Sequence, residues 1–397
     1  MCTTVIVGRL ASTTGRVILG HNEDSGGRCM HQQFWVPGGS HSAGEFVEGE
    51  PGRARVPQAP VTLGTYWSNM LAPAPGSSFD QGMANDAGVV MCSNSGGDSY
   101  DGHLSDEEVG LFEGGIGFLL RRCVMERAHT AREAVEIAGE LISKYGYWSP
   151  ARNYSFADAQ EAWVLNVVKG KHFVAHRVPD DKVVLISNYL AVRVVDFSDT
   201  ENVIASPDLI DYAVKKGRFS PAAGSYYHEF DFSVAYQPDE IRLDPNKSIR
   251  MRTGWQYITG EVFDDPNHYP EMVEPAHKMS VEDVKAVLRL TAEETYQTQA
   301  GPTPSTRVRK TSLAPIRANP GWQISPMIRF IRCSGAARRL RIRTPMCLGS
   351  RWPAKFRRAT NGRPSRTPAA SISACPLTCS TSMKITAGSF TVRSAKS

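Results

Sequence analysis

Apolar positions come in short β-branched bursts at the start of the chain and take up helical spacing further on. Residues 3–7 form one such burst, Ser12-Thr13-Thr14-Gly15 supplies turn chemistry, and Val17-Ile18-Leu19 is a second burst. The pattern predicts a hairpin that begins at the second residue. Across residues 115–127, Ile116, Leu119, Leu120 and Cys123 fall on one helical face. Thr130-Ala131-Arg132-Glu133 reads as a capping box opening a second helix. Its stripe of Ala134, Ala138, Leu141, Ile142 and Tyr145 ends near Gly146. Residues 162–168 and 172–178, joined by Lys169-Gly170, predict another hairpin, followed by a strand at 183–187. Ser280-Val281-Glu282-Asp283 opens a third helix with Val284, Val287 and Leu288 turned inward. Antiparallel hairpins with helices in separate pairs indicate an α+β class, with sheets sandwiched between helical layers.

The first hairpin gives the second residue a meaning. Removal of Met1 would leave Cys2 with a free α-amino group beside its own thiol. An α-amine titrates near 8, so at neutral pH a useful fraction can take the thiol proton. A chain-terminal amine acting as base for its own side chain is an established way to activate a weak nucleophile. Chain ends fray unless tied into a sheet, so a terminus committed to a strand is being held. The second strand runs into His21-Asn22-Glu23-Asp24-Ser25, and antiparallel pairing would return this polar cluster to the neighbourhood of Cys2. Two carboxylates, an amide and an imidazole there could orient the amine and tune its pKa.

At this point the chain resembles the dipeptidases of the N-terminal-nucleophile hydrolase superfamily, the group that includes the secernins. The resemblance rests on Cys2-Thr3-Thr4 followed by Asn22-Glu23-Asp24-Ser25, then on Gly82-Met83-Ala84-Asn85-Asp86-Ala87-Gly88-Val89 and Ser93-Asn94. It continues through Ala157-Asp158, Glu161-Ala162-Trp163, the stretch 173–181 and Ser187-Asn188, and it covers roughly residues 2–300. It implies a four-layer αββα sandwich with Cys2 at the end of a central strand. It also implies a dipeptidase that needs no cofactor and acts on small peptides through a thioester. Cys2 would be the nucleophile, Asp24 would hold its amine or thiol, and Asn94 and Asn188 would help build the oxyanion hole. Two departures stand out: His21 where many relatives carry arginine, and Asn166 where the strand often carries glutamate. Both bear on substrate preference. His21, Asn22 and Arg252 are the candidate substrate-binding residues. The last comes from the stretch 220–270, where Tyr226-Tyr227-His228, Phe230, Phe232, Tyr236, Trp255 and Tyr257 surround Arg250 and Arg252. Aromatic walls with a few cations suit a peptide-sized ligand and its carboxylate, although ordinary core packing explains the same residues. An N-acyl amide hydrolase and an inactive secernin-like protein are the alternative readings.

Composition adds a boundary. The 397 residues are 41% hydrophobic, enough for a sizeable core in one domain or two. No apolar run approaches the roughly 18 residues needed to cross a bilayer, and no basic, then apolar, leader opens the chain. Eight cysteines at 2, 29, 92, 123, 333, 347, 375 and 379 show no metal-ligand spacing. These features point to no metal, no membrane partner and a reducing, cytoplasmic setting. Charge is divided unevenly. Residues 301–397 carry 19 Lys and Arg and no Asp or Glu, so the first 300 residues hold a net charge of −14. The expected organisation is a hydrolase domain over 2–300 and a basic Arg/Pro/Ser-rich tail over 301–397. Three readings compete for the tail: a phosphate-binding arm for nucleic acid or membrane, a disordered extension, or an out-of-frame translation. The total absence of acids favours the third, so nucleic acid is not expected as a partner. A homo-oligomer is left open.

Overall fold

The computed structural model describes residues 2–23, 30–71, 79–222 and 229–290, and short strands at 329–332, 384–386 and 389–391. Asp24, Tyr226 to His228 and most of the basic stretch lie outside the described residues. In chain order the strands are β1 (Cys2–Val7), β2 (Ile18–Glu23), β3 (Met30–Val36), the two-residue β4 (Gly39–Ser40), β5 (Phe46–Val47), β6 (Val56–Pro57) and β7 (Val61–Thr62), then β8 (Thr65–Leu71), β9 (Phe79–Asn85) and β10 (Val90–Ser95). After helices α1 (Leu119–Met125) and α2 (Ala131–Tyr145) come β11 (Tyr147–Ala157), β12 (Ala162–Gly170), β13 (Phe173–Val178), β14 (Val183–Ile186) and β15 (Val203–Ala205). Helices α3 (Leu209–Lys215), α4 (Phe232–Tyr236), α5 (Asp239–Arg242) and α6 (Pro245–Thr259) follow, then β16 (Met272–Val273) and α7 (Val281–Arg289). The last strands are β17 (Arg329–Arg332), β18 (Lys384–Thr386) and β19 (Ser389–Thr391).

Two antiparallel sheets carry the fold. The smaller has the order β16-β14-β1-β2-β17, with β1 at its centre. The larger has the order β15-β13-β12-β11-β10-β9-β8-β3. Side chains of β1 alternate between its two faces, as a pleated strand requires. Ile6 joins Leu19, Ile186, Cys92, Val164 and Val174 in an apolar cluster between the sheets. Val5 and Val7 join Leu185 with Met251, Trp255, Val284 and Leu288 of α6 and α7. A third cluster packs Val124, Val135 and Ile142 of α1 and α2 on Met91, Phe156 and Trp163 of the larger sheet. Burying each such aliphatic or aromatic side chain is worth roughly 1.5–3 kcal/mol, so β1 is held from both faces and by hydrogen bonds along both edges.

The predicted hairpins and capped helices form, with instructive differences. Helix α1 starts at Leu119 rather than 115, because Glu113, Gly114 and Gly115 have φ of 51°, 76° and 77°, outside helical space. Thr130 accepts from the Glu133 amide, but the Glu133 carboxylate turns to the His129 amide, so only half the capping box is made. The Ser280–Asp283 box is complete. Contacts divide the chain into residues 1–337 and 338–397. Within the first unit, Arg329–Arg332 pairs with β2 at Ile18–His21. Within the second unit the described part is the hairpin β18–β19. Among the described residues no helix is long and apolar enough to cross a membrane.

Candidate active site

Cys2 is the first residue of the central strand and is 5% exposed. The Val5–Leu185 rung and its neighbours bind β1 to β14, and the chain leaves β14 directly into Ser187-Asn188. That connection delivers Asn188 to the start of β1, where the Cys2 backbone N–H donates to its Oδ1 at 2.8 Å. Helix α6 supplies the opposite clamp. Arg250 Nη1 donates to the Cys2 carbonyl at 2.6 Å and to Thr3 Oγ1 at 3.1 Å, and Nη2 donates to Asn188 Oδ1 at 2.9 Å. Both main-chain polar groups of Cys2 are thus gripped by two side chains that also grip each other. Two donors converge on one atom of Asn188, which identifies that atom as the oxygen. Asn188 Nδ2 donates to the Ser95 carbonyl at 3.0 Å and keeps a second N–H.

Asn94 lies one rung inward. Its Oδ1 accepts from Thr4 Oγ1 at 2.6 Å and its Nδ2 donates to the Ile186 carbonyl at 3.3 Å. The Thr4 hydroxyl has one proton and spends it on Asn94. His21 Nδ1, 2.8 Å from the same hydroxyl, must therefore be the protonated ring nitrogen that donates to it. His21, Thr4 and Asn94 form one relay running from β2 to β10. Asn94 is fully buried, and Asn188 is 6% exposed.

The remaining expected residues separate. Asn22 Nδ2 donates to the Leu288 carbonyl, tying β2 to the last turn of α7. It lines a cleft of about 80 Å³ together with Thr3, Arg250, Thr253, Leu288 and Leu290. Arg252 pairs with Asp264 at 2.7 Å, and it is Arg250, two positions earlier on α6, that reaches Cys2. The sequence pattern does not separate the two arginines, because α6 has few apolar residues. Its inward face shows only as Met251, Trp255 and Ile258 among polar neighbours. Asp24 lies outside the described residues. Two other described cysteines, Cys92 and Cys123, are buried. Burial pushes the Cys123 thiol up to about 12, which makes it an inert core residue. Among the described residues no group of three or more His, Cys, Asp or Glu side chains is placed to hold a metal ion.

The sequence profile described as Peptidase family C69 matches residues 1–325, which carries the similarity past residue 300. A probable dipeptidase from Salmonella dublin is 27% identical over 297 residues, covering 72% of this chain and 66% of its own length. Dipeptidase A from Lactobacillus helveticus is 28% identical over 221 residues, covering 53% of this chain and 45% of its own. The chain thus spans less than two thirds of the length of these relatives. Among solved structures, a C2A mutant of a conjugated bile acid hydrolase from Clostridium perfringens is similar at a TM-score of 0.26 and 10% identity, over 54% of this chain and 56% of that one.

Proposed function

The chain belongs to peptidase family C69, and on that premise we propose that it is a dipeptidase whose nucleophile is the Cys2 thiol and whose base is the Cys2 α-amine, freed by loss of Met1. The observation that carries this reading is the double clamp on the Cys2 main chain by Asn188 and Arg250. Cys2 lies beyond the last β1–β14 rung, Thr4–Ile186, so on that edge two polar side chains rather than a strand hold its main chain. An amine that must shuttle protons needs a fixed position, and the Asn188 oxygen accepts from it without adding charge.

The amine takes the thiol proton as Sγ bonds to the peptide carbonyl carbon. The oxyanion so formed is stabilised by amide donors, for which Asn94 and Asn188 each retain one N–H; one such donor is worth about 3 kcal/mol of barrier. The C–N bond then breaks as the ammonium returns its proton to the leaving amine. Water, deprotonated by the same amine, attacks the thioester, and the acid leaves with the thiol restored. Cys2 and Asn94 sit where the two sheets meet, and the apolar clusters on either side support an αββα stacking of four layers.

A panel of free dipeptides and N-acyl amides tests the reading. Turnover of dipeptides, without turnover of penicillin V or bile salt amides, is the expected result. Turnover confined to the acyl amides would replace it with an amidase.

A further inference from the structure

The site contains a cation that the mechanism above does not use. Arg152 occupies the last rung of the β10–β11 ladder, opposite Ser95, the residue whose carbonyl holds Asn188. It is 8% exposed. Its Nη1 donates to Ser93 Oγ at 3.3 Å and its guanidinium lies 5.0 Å from the centre of the Phe118 ring. Its Nε is buried without a hydrogen-bond partner, and it makes no ion pair with any described carboxylate. Arg121, 1% exposed, places a second guanidinium 4.5 Å from the same ring. Burying a guanidinium costs free energy that Ser93, the Phe118 ring and the Tyr147 side chain recover only in part, since none of them is a carboxylate, and an arginine stays charged regardless. Burial by itself would lower the Arg152 pKa. Interactions with Tyr147, Tyr154 and Cys2, among them a hydrogen bond to the Tyr147 side chain, outweigh it and hold the pKa above the ordinary value.

We propose that Arg152 receives the free α-carboxylate of the dipeptide, so that it selects substrates whose second residue is the last. This rests on the dipeptidase reading and names how that site measures length. In a dipeptide the carboxylate carbon is three bonds from the scissile carbonyl carbon, at most about 4 Å away. A carboxylate accepts from a planar guanidinium through two parallel N–H bonds, and Arg152 has an Nε–H to spare. A longer peptide presents a neutral amide in the same place and leaves the buried charge unanswered.

Calorimetric titration on the full chain carrying Cys2→Ala reads this contact without turnover. The probes are alanyl-leucine and leucyl-leucine, each against its C-terminal amide. The free acids should bind at least tenfold more tightly than the amides. Adding Arg152→Gln should bring the acids down to the level of the amides and leave amide binding unchanged, which also shows that the variant is folded. Arg152→Lys should restore part of the preference. Equal binding of acid and amide, a preference that survives Arg152→Gln, loss of both ligands together in that variant, or no binding of either probe would each overturn the proposal. A preserved acid preference in a protein whose native form hydrolyses no dipeptide would support the carboxylate site and sink the dipeptidase reading alone.

Discussion

At the residue scale the site turns on one shared atom, Asn188 Oδ1, which accepts from both the Cys2 nitrogen and Arg250. Asn188→Ala should therefore strand two buried donors, each costing about 1–3 kcal/mol, and lower kcat/KM by about 10²-fold or more. Arg250→Ala should cost about 10²-fold through misplacement of Cys2. Because the two side chains hold each other, the double variant should lose less than the sum of the singles, a coupling that steady-state kinetics on the four proteins measures directly. A second residue-scale prediction concerns pH. His172 is buried against Tyr212, with ring centres 4.0 Å apart, and burial lowers its pKa despite Asp208 at 3.4 Å. The unfolded chain then binds the proton more readily than the fold does. Stability should fall as pH drops below the unfolded value of about 6.5. Melting temperatures taken across this range should decline in the native protein and decline less in His172→Asn.

At the element scale, what was legible in the sequence is what repeats or caps. The β1–β2 hairpin, α2 and α7 each carry an apolar stripe or run bounded by Gly15, Thr130 or Ser280, and the structure has all three. Strand β11 carried no such signal, because Pro150 interrupts it and the ladder slips its register between Tyr147 and Ala151. Helix α6 showed no apolar stripe, because Met251, Trp255 and Ile258 stand among polar neighbours, so the reach of Arg250 to Cys2 was not legible. The position of Cys2, Asn94 and Asn188 could be read from motif order. Their hydrogen bonds could not, since these join strands more than 85 residues apart in sequence. The turn leaving β1 offers an element-scale test. A Cβ on Gly8 would collide with the carbonyl oxygens of Pro179 and Asp180, which are backbone atoms with little room to move. The Gly8 amide also donates to the Lys182 carbonyl at 2.9 Å. Gly8→Ala should destabilise the fold by about 1–3 kcal/mol, read as a lowered denaturation midpoint with an unchanged slope.

At the scale of the whole molecule, contacts divide the chain after residue 337. Every described residue of the site and all three apolar clusters belong to residues 1–337. Deleting residues 338–397 should leave dipeptide turnover and melting temperature within error of the full chain; a collapse of either would tie the second unit to the first. Deleting from residue 326 should be worse, because it removes β17 and exposes the edge of β2, the strand that carries His21 and Asn22. The central claim, that Cys2 acts with its own amine, is a statement about the chain after processing. Intact mass spectrometry with N-terminal sequencing, run on protein incubated with a dipeptide chloromethyl ketone, tests it most directly. The account predicts a chain lacking Met1, with a single adduct on the first residue, Cys2, and no adduct in Cys2→Ala. A chain that retains Met1 while hydrolysing dipeptides at full rate, or an adduct on another cysteine, would contradict it.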